Sequence, residues 1–359
     1  MMFQKDFPFI KFQYWISCYL YNNRYLLWLK RKHPKYFGLK IILSSPWILL
    51  CWFFSWVYEN TVGKFIIGRL LVNERRRTFS HEIAIVAIAK NEGLYIVEWL
   101  EYHKLVGITK IYFYDNCSTD NTQKLLQPYI VTGYVEYTYI SGRGKQLYAY
   151  EDAIYRHKNE CRYMAFIDLD EYLVPEKPYE RIGDIVNRIL KMSKNAVGIG
   201  VNWCVYGDSG HKTRVHGLIT ESYLYHASTT NTMCVHVKTV CNPRLVTKYI
   251  SPHYPIFRLG GISLNSTGTK RQRGWFSSPV SFKELRINHY YCKSQEDFKL
   301  KISRGLGDRE GEYNMKNYSM MNDNSVYDEL MLVYKPQLDG LLNKNMINNN
   351  KTNDVDSDK

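Results

Sequence analysis

The sequence predicts an α/β fold: a mostly parallel, Rossmann-like sheet flanked by helices, preceded by an N-terminal membrane-associating helical segment. Two observations carry the sheet and one carries the segment. From Ile83 onward, short apolar runs bounded by turn residues alternate with stretches of helical spacing, the pattern of βαβ units. The connections between them are short, as such units require. Before residue 78 the texture differs, with large aromatics mixed among Lys and Arg and a stretch from Ile41 to Tyr58 that holds no charge.

Each element follows from its own residues. "EIAIVAIAK" reads as a buried strand. In "NEGLYIVEWLEYHKLVG", Ile96, Trp99, Leu100, His103 and Val106 fall at helical spacing, with Asn91 suited to cap the start and Gly107 to end the helix. "KIYFYD" is a second strand, "STDNTQKLLQPY" a short capped helix and "YVEYTYI" a third strand. "GKQLYAYEDAIYRHK" reads as helix and "YMAFIDLDEYL" as a fourth strand. Beyond Pro178, "YERIGDIVNRILKM" is an amphipathic helix, "AVGIGVNWCVYG" a strand and "SQEDFKLKISRGLG" a helix.

The chain divides into a basic, aromatic segment at 1–77 with an apolar helix at 41–58, an α/β domain at 78–305, and a C-terminal extension at 306–359 with a disordered polar tail. At 359 residues and 45% hydrophobic it can fill a large core. The formal charge of +14 favours polyanionic partners such as a membrane face or phosphorylated ligands. No DNA- or RNA-binding motif accompanies it, so nucleic acid is not expected. Eight scattered cysteines form no CxxC pair, which argues against a structural zinc site. The apolar stretch with its interfacial Trp, Tyr and Lys points to membrane association, at the cytoplasmic face of a bacterial inner membrane or, alternatively, as a Golgi type II protein.

Ligands of open α/β sheets bind beyond the carboxyl ends of the strands. That rim collects Lys90, Asn91 and Glu92, then Asp115 and Asn116, then Asp168, Asp170 and Glu171. On an extended chain Asp168 and Asp170 share a side. Two carboxylates so close repel, and a hard divalent cation removes that cost, so Mn2+ or Mg2+ is expected with phosphate oxygens as further ligands.

"AIVAIAKNEGLYIVEWLEYHKLVGITKIYFYDNCSTDNT", "KQLYAYEDAIYRH" and "YMAFIDLDEYLVP" together resemble nucleotide-sugar glycosyltransferases of the GT-A fold, in particular family 92 and its bacterial relatives related to family 2. The likeness continues through "VNWCVYGDSGHK", "HVKTVCNP", "PHYPIF" and "INHYYCKSQEDFKLKISRG". It implies transfer of a sugar from a nucleotide-diphosphate sugar to a hydroxyl of a glycan or lipid-linked saccharide, with inversion, in cell-surface polysaccharide, lipopolysaccharide or capsule synthesis. It also implies metal ligation by Asp168, Asp170 and His289, with His253 the competing histidine, and nucleotide contacts from Lys90, Asn91, Glu92, Asp115, Asn116 and Asp168. Lys145 and Gln146 at a helix start suit a diphosphate. Trp203 suits a sugar face. For the proton acceptor, Asp208 in "GDSGH" comes first, with His211 in the same loop and Glu171 and Glu221 behind. The competing readings are a nucleotidyltransferase of similar fold, which lacks its Gly-rich loop here, and a non-catalytic basic membrane-associated protein.

Overall fold

The computed structural model describes residues 50, 53–54, 56–271, 274–304 and 314–342. Strand β1 (His81–Ala89) is central and pairs in parallel with β2 (Lys110–Asp115) on one side and β4 (Cys161–Phe166) on the other. β3 (Val135–Tyr139) extends the sheet beyond β2. On the far side the order runs β4, β8 (Val237–Cys241), β6 (Ala196–Val205), β12 (Leu285–His289) and β5 (Glu171–Pro175), and β11 (Ile262–Asn265) also pairs with β6. Among the described residues this makes a nine-stranded sheet, antiparallel at β4–β8, β8–β6 and β12–β5. Outside it, β9 (Val246–Ser251) and β10 (Tyr254–Phe257) form an antiparallel pair.

The alternation of β1 explains why it lies inside. Ile83, Ile85 and Ala87 enter one core with Trp99, Leu100 and Tyr102 of helix α2 (Ile96–Leu105), while Ala84 and Val86 enter a second core with Ala149, Tyr150 and Ala153 of α4 (Gln146–His157). Helices α3 (Thr122–Val131) and α5 (Ile182–Leu190) complete the first layer. Gly107, at φ 87°, ends α2 as its sequence position suggests. Asn91 does not cap that helix. It sits at φ 56°, and its Oδ1 accepts the Thr119 amide at 2.7 Å, which ties the ends of β1 and β2 together.

The fourth strand differs from its expected form. "YMAFIDLDEYL" is two strands, β4 and β5, separated by a turn in which the Glu171 amide bonds the Asp168 carbonyl at 3.1 Å. Ile167 and Leu169 are both buried, so the apolar alternation runs unbroken across the turn and conceals it. Asp168 and Asp170 consequently do not share a side of an extended strand.

The N-terminal expectation is corrected. Among the described residues no helix is long and apolar enough to cross a membrane. This stands against the expected membrane-anchoring helix and the membrane-anchored locations, and nothing in the described residues supports the expected membrane-surface partner. Residues 41–49, 51–52 and 55 of the expected apolar helix lie outside the described residues, as do the basic run at 29–35 and the polar tail. Beyond residue 63 the chain packs on protein. Helix α1 (Lys64–Arg75) buries Ile67 against Val197 and Leu245. Just before it, the chain passes so close to Gly260 that a Cβ there would lie 2.1 Å from the Gly63 carbonyl carbon. Arg244, on the turn after β8, fastens α1 to the sheet. It pairs with Glu74 and donates to the carbonyls of Lys158 and Cys161 at 2.5 Å and of Arg162 at 3.0 Å.

The chain after residue 313 also joins the domain. Tyr318 and Met321 of a helix at Met315–Met321, with Met331, Tyr334 and Leu338, are buried in the larger core. Strand β13 (Val326–Tyr327) pairs with β7 (Tyr225–His226).

Candidate active site

The carboxyl ends of β1, β2, β4, β6 and β12 and the amino ends of β5 and β8 face one rim. At its centre lies the acidic turn, and a lysine answers each aspartate. Lys238 Nζ, 1% exposed on β8, donates to Asp168 Oδ2 at 2.8 Å and lies 3.5 Å from Glu171 Oε2. Lys301 Nζ, from the helix at Gln295–Arg304, donates to Asp170 Oδ2 at 2.6 Å. His289, closing β12, brings Nε2 to 3.6 Å from Asp170 Oδ1. Charge buried here is thus balanced by charge of opposite sign from the same chain.

Burial works against the Asp170 charge, but Lys301, His289 and Lys293 outweigh it and hold the carboxyl well below the usual range. Glu171 goes the other way. Full burial pushes it up to about 8 against the opposing pull of Lys238. Its Oε2 accepts the Asp168 amide at 3.0 Å. An acid with its folded pKa above its unfolded one keeps its proton when the unfolded chain has lost it. Stability therefore falls as pH rises from about 4.5 to about 8. Glu171→Gln, which keeps the acceptor, is expected to remove on the order of a few kcal/mol of that decline. Urea unfolding at pH 5 and pH 8 reads it, and parallel slopes for wild type and variant would discard the assignment.

Of the residues expected to contact nucleotide, Gln146 is drawn to the acids, donating from Nε2 to Asp168 Oδ1 at 2.6 Å and to the Tyr150 hydroxyl at 3.0 Å. Asp115 ends β2 and is held by the Ser118 amide and the Tyr137 hydroxyl, both at 2.8 Å. Asn116 Nδ2 donates to the carbonyls of Ile140 and Gly142 and so fixes the β3–α4 loop. The Glu92 amide donates to Thr122 Oγ1 at 3.1 Å, and Lys90 is exposed beside Asn91. Lys145 precedes α4, its ammonium 5.7 Å from the Tyr148 ring centre.

On the other half of the rim, Trp203 packs its ring 4.3 Å from His289, 4.8 Å from His236 and 5.3 Å from His253. Trp275, 45% exposed, lies 4.7 Å from His236, so the rings lead from the surface to the acids. His253 is neutral, lowered to about 3 by burial, and its Nδ1 faces the Val237 carbonyl at 3.0 Å. Among the described residues, Trp203 Nε1 and His289 Nδ1 are buried without a hydrogen-bond partner.

Asp208 and His211 lie in the loop after β6. Burial tends to raise the Asp208 pKa, but donors from Tyr318, Gly210, Asn324 and Asn322 prevail and hold it low. A carboxylate so well supplied is a weak base. His211 Nε2 faces the Ser222 carbonyl at 3.2 Å. A carbonyl only accepts, so Nε2 carries the proton and Nδ1 is the basic nitrogen. Glu221 is paired with Lys335 at 2.8 Å.

The expected metal centre is not what these residues form. Asp170 and His289 come together, but Asp168 turns to Lys238 and Gln146. Among the described residues no group of three or more His, Cys, Asp or Glu side chains is placed to hold a metal ion. Sequence reasoning misses the two lysines. Lys238 leaves one signal, as a single charge inside the apolar run "HVKTVC", and β8 is buried at every position.

A family model described as glycosyltransferase family 92 matches residues 83–327. The chain belongs to glycosyltransferase family 92. A family 92 protein of rice (Oryza sativa subsp. japonica) is 26% identical over 102 residues, 28% of this chain and 18% of that protein. One of Ricinus communis is 25% identical over 133 residues, 37% of this chain and 24% of that protein. The matched stretch is thus less than a quarter of either relative's length. Among solved structures, S. aureus TarS 1–349 in complex with UDP is 16% identical with a TM-score of 0.32, covering 45% of this chain and 47% of that one. Glucosyl-3-phosphoglycerate synthase from Mycobacterium tuberculosis is 17% identical with a TM-score of 0.32, covering 58% and 76%. In this family 92 chain the matched span holds the acidic turn, Lys238, His289 and Lys301 alike.

Proposed function

We propose that this family 92 chain transfers a sugar, with inversion, from a nucleotide-diphosphate sugar to a hydroxyl of a glycan or other saccharide acceptor, in polysaccharide synthesis. The observation that carries the reading is the meeting of Asp168, Asp170, Lys238, His289 and Trp203, drawn from separate elements, at the strand-end rim where such folds bind ligands. The nucleotide is assigned to the β1–β2 side, at Lys90, Asn91, Glu92, Asp115 and Asn116, with Lys145 and Gln146 toward the diphosphate. The acceptor is assigned to Trp275, 45% exposed, whose ring suits pyranose C–H groups, with His236 and the buried Trp203 stacked behind it.

In the reaction the acceptor oxygen attacks the anomeric carbon while the bond from that carbon to the diphosphate oxygen breaks, its electron pair leaving with the diphosphate. The acceptor proton passes to His211 Nδ1, which the Ser222 carbonyl leaves basic, in preference to Asp208 or Glu171. Because Lys301 occupies Asp170 and Lys238 occupies Asp168, no step is assigned to the expected Mn2+ or Mg2+ ion.

Incubating the chain with a panel of UDP- and GDP-sugars and saccharide acceptors is expected to release nucleoside diphosphate with at least one donor. A panel in which no donor is bound or cleaved would end this reading.

A further inference from the structure

We propose that Lys301, with Lys238 behind it, supplies the positive charge that receives the donor's diphosphate, in the place where a divalent ion was expected. The inference rests on the nucleotide-sugar reading above and adds a binding residue to it.

Three facts lead to it. Both aspartates of the acidic turn already carry a counterion within hydrogen-bond distance, so a metal entering between them has to displace an ammonium from each carboxylate or sit beside it. The two lysines are not equivalent. Lys238 is sealed at 1% exposure and can act only through the field it sets up, whereas the Lys301 side chain keeps 12% exposure. Lys301 is also aimed: its ammonium lies 3.8 Å from the centre of the Tyr291 ring and 3.4 Å from the Tyr291 carbonyl, which with Asp170 fix the far end of a flexible side chain.

Asp170 takes one of the three ammonium donors at 2.6 Å and the Tyr291 carbonyl is met only at 3.4 Å, so an arriving phosphate oxygen can replace that weaker contact while Asp170 stays bound. Asp170 is then a positioning residue, holding Lys301 charged and directed. As the anomeric carbon–oxygen bond breaks, negative charge grows on the leaving diphosphate, and a fixed cation beside it is worth more in that state than in the ground state.

The test is equilibrium binding of UDP, GDP, uridine and guanosine to the full chain by calorimetry, in EDTA and in Mn2+. The diphosphate of the preferred base is expected to bind in EDTA. Lys301→Met is expected to weaken it roughly 10- to 100-fold, the worth of a charge-assisted hydrogen bond, while leaving the matching nucleoside within about twofold. Lys301→Arg should recover most of the loss, and nucleoside binding reports that each variant is folded. Should the methionine variant not fold, Lys301→Gln reads the same loss. Diphosphate binding that vanishes in EDTA and returns with Mn2+, or that ignores the loss of the Lys301 charge, overturns the inference and leaves the transferase reading standing. Failure of every nucleotide to bind overturns both.

Discussion

Asp170→Asn is expected to lower sugar transfer by about 100- to 1000-fold, the scale seen when one preorganised electrostatic group is removed from a site. The amide keeps the size of the carboxyl and removes the charge that Lys301 and His289 share. Only the charge-dependent part of the site is lost, so the nucleoside should still bind. Asp168→Asn should cost less, because that carboxylate is one-third exposed and Gln146 also holds it. Initial rates with a saturating donor, alongside unfolding curves, check the comparison. Equal rates for wild type and Asp170→Asn would remove Asp170 from the machinery.

The second large effect lies away from the chemistry. Arg244→Met is expected to destabilise the fold by about 3–5 kcal/mol, because it strands a carboxylate and several buried carbonyls in one step. The guanidinium is 7% exposed, lies 4.3 Å from the centre of the Phe79 ring and joins Glu74 of α1 to the carbonyls around the start of β4. Adding Glu74→Gln should return only part of the loss, since the carbonyls stay without their donor. Urea denaturation measures both. Hydrogen exchange should show α1 opening first in the single variant. A loss below about 1 kcal/mol would mean that water replaces the guanidinium at little cost.

Much of the sheet is legible in the sequence because its signal is local. In β1 the residue types and their order, Ile83 to Ala87, demand burial on both faces, and Gly107 marks the end of α2 by a backbone angle that few other residues adopt. Membership in family 92 is legible for a related reason, several motifs in a fixed order. What the sequence conceals depends on partners remote along the chain. The turn at Asp168–Glu171 is masked by Ile167 and Leu169, which continue the alternation across it. Lys238 is 70 residues from Asp168, and Lys301 is 131 from Asp170, so nothing near either acid shows that a cation compensates it. In the described part of the segment before the domain, the contacts are again with residues remote along the chain: Gly63 with Gly260, Ile67 with Val197 and Leu245, and Glu74 with Arg244.

Phe166 ends one strand and Glu171 begins the next, yet β8, β6 and β12 lie between those two strands in the sheet order. Laid flat, with strands about 4.8 Å apart, that gap is about 19 Å. Five steps of chain reach about 17 Å at full stretch, and here they include a turn. The sheet has to roll until its two halves meet at the aspartates. The hollow at the rim is therefore set by a shortage of chain, as a drawstring sets the mouth of a bag. An extra residue between Asp168 and Asp170 would loosen that mouth without touching any side chain in it.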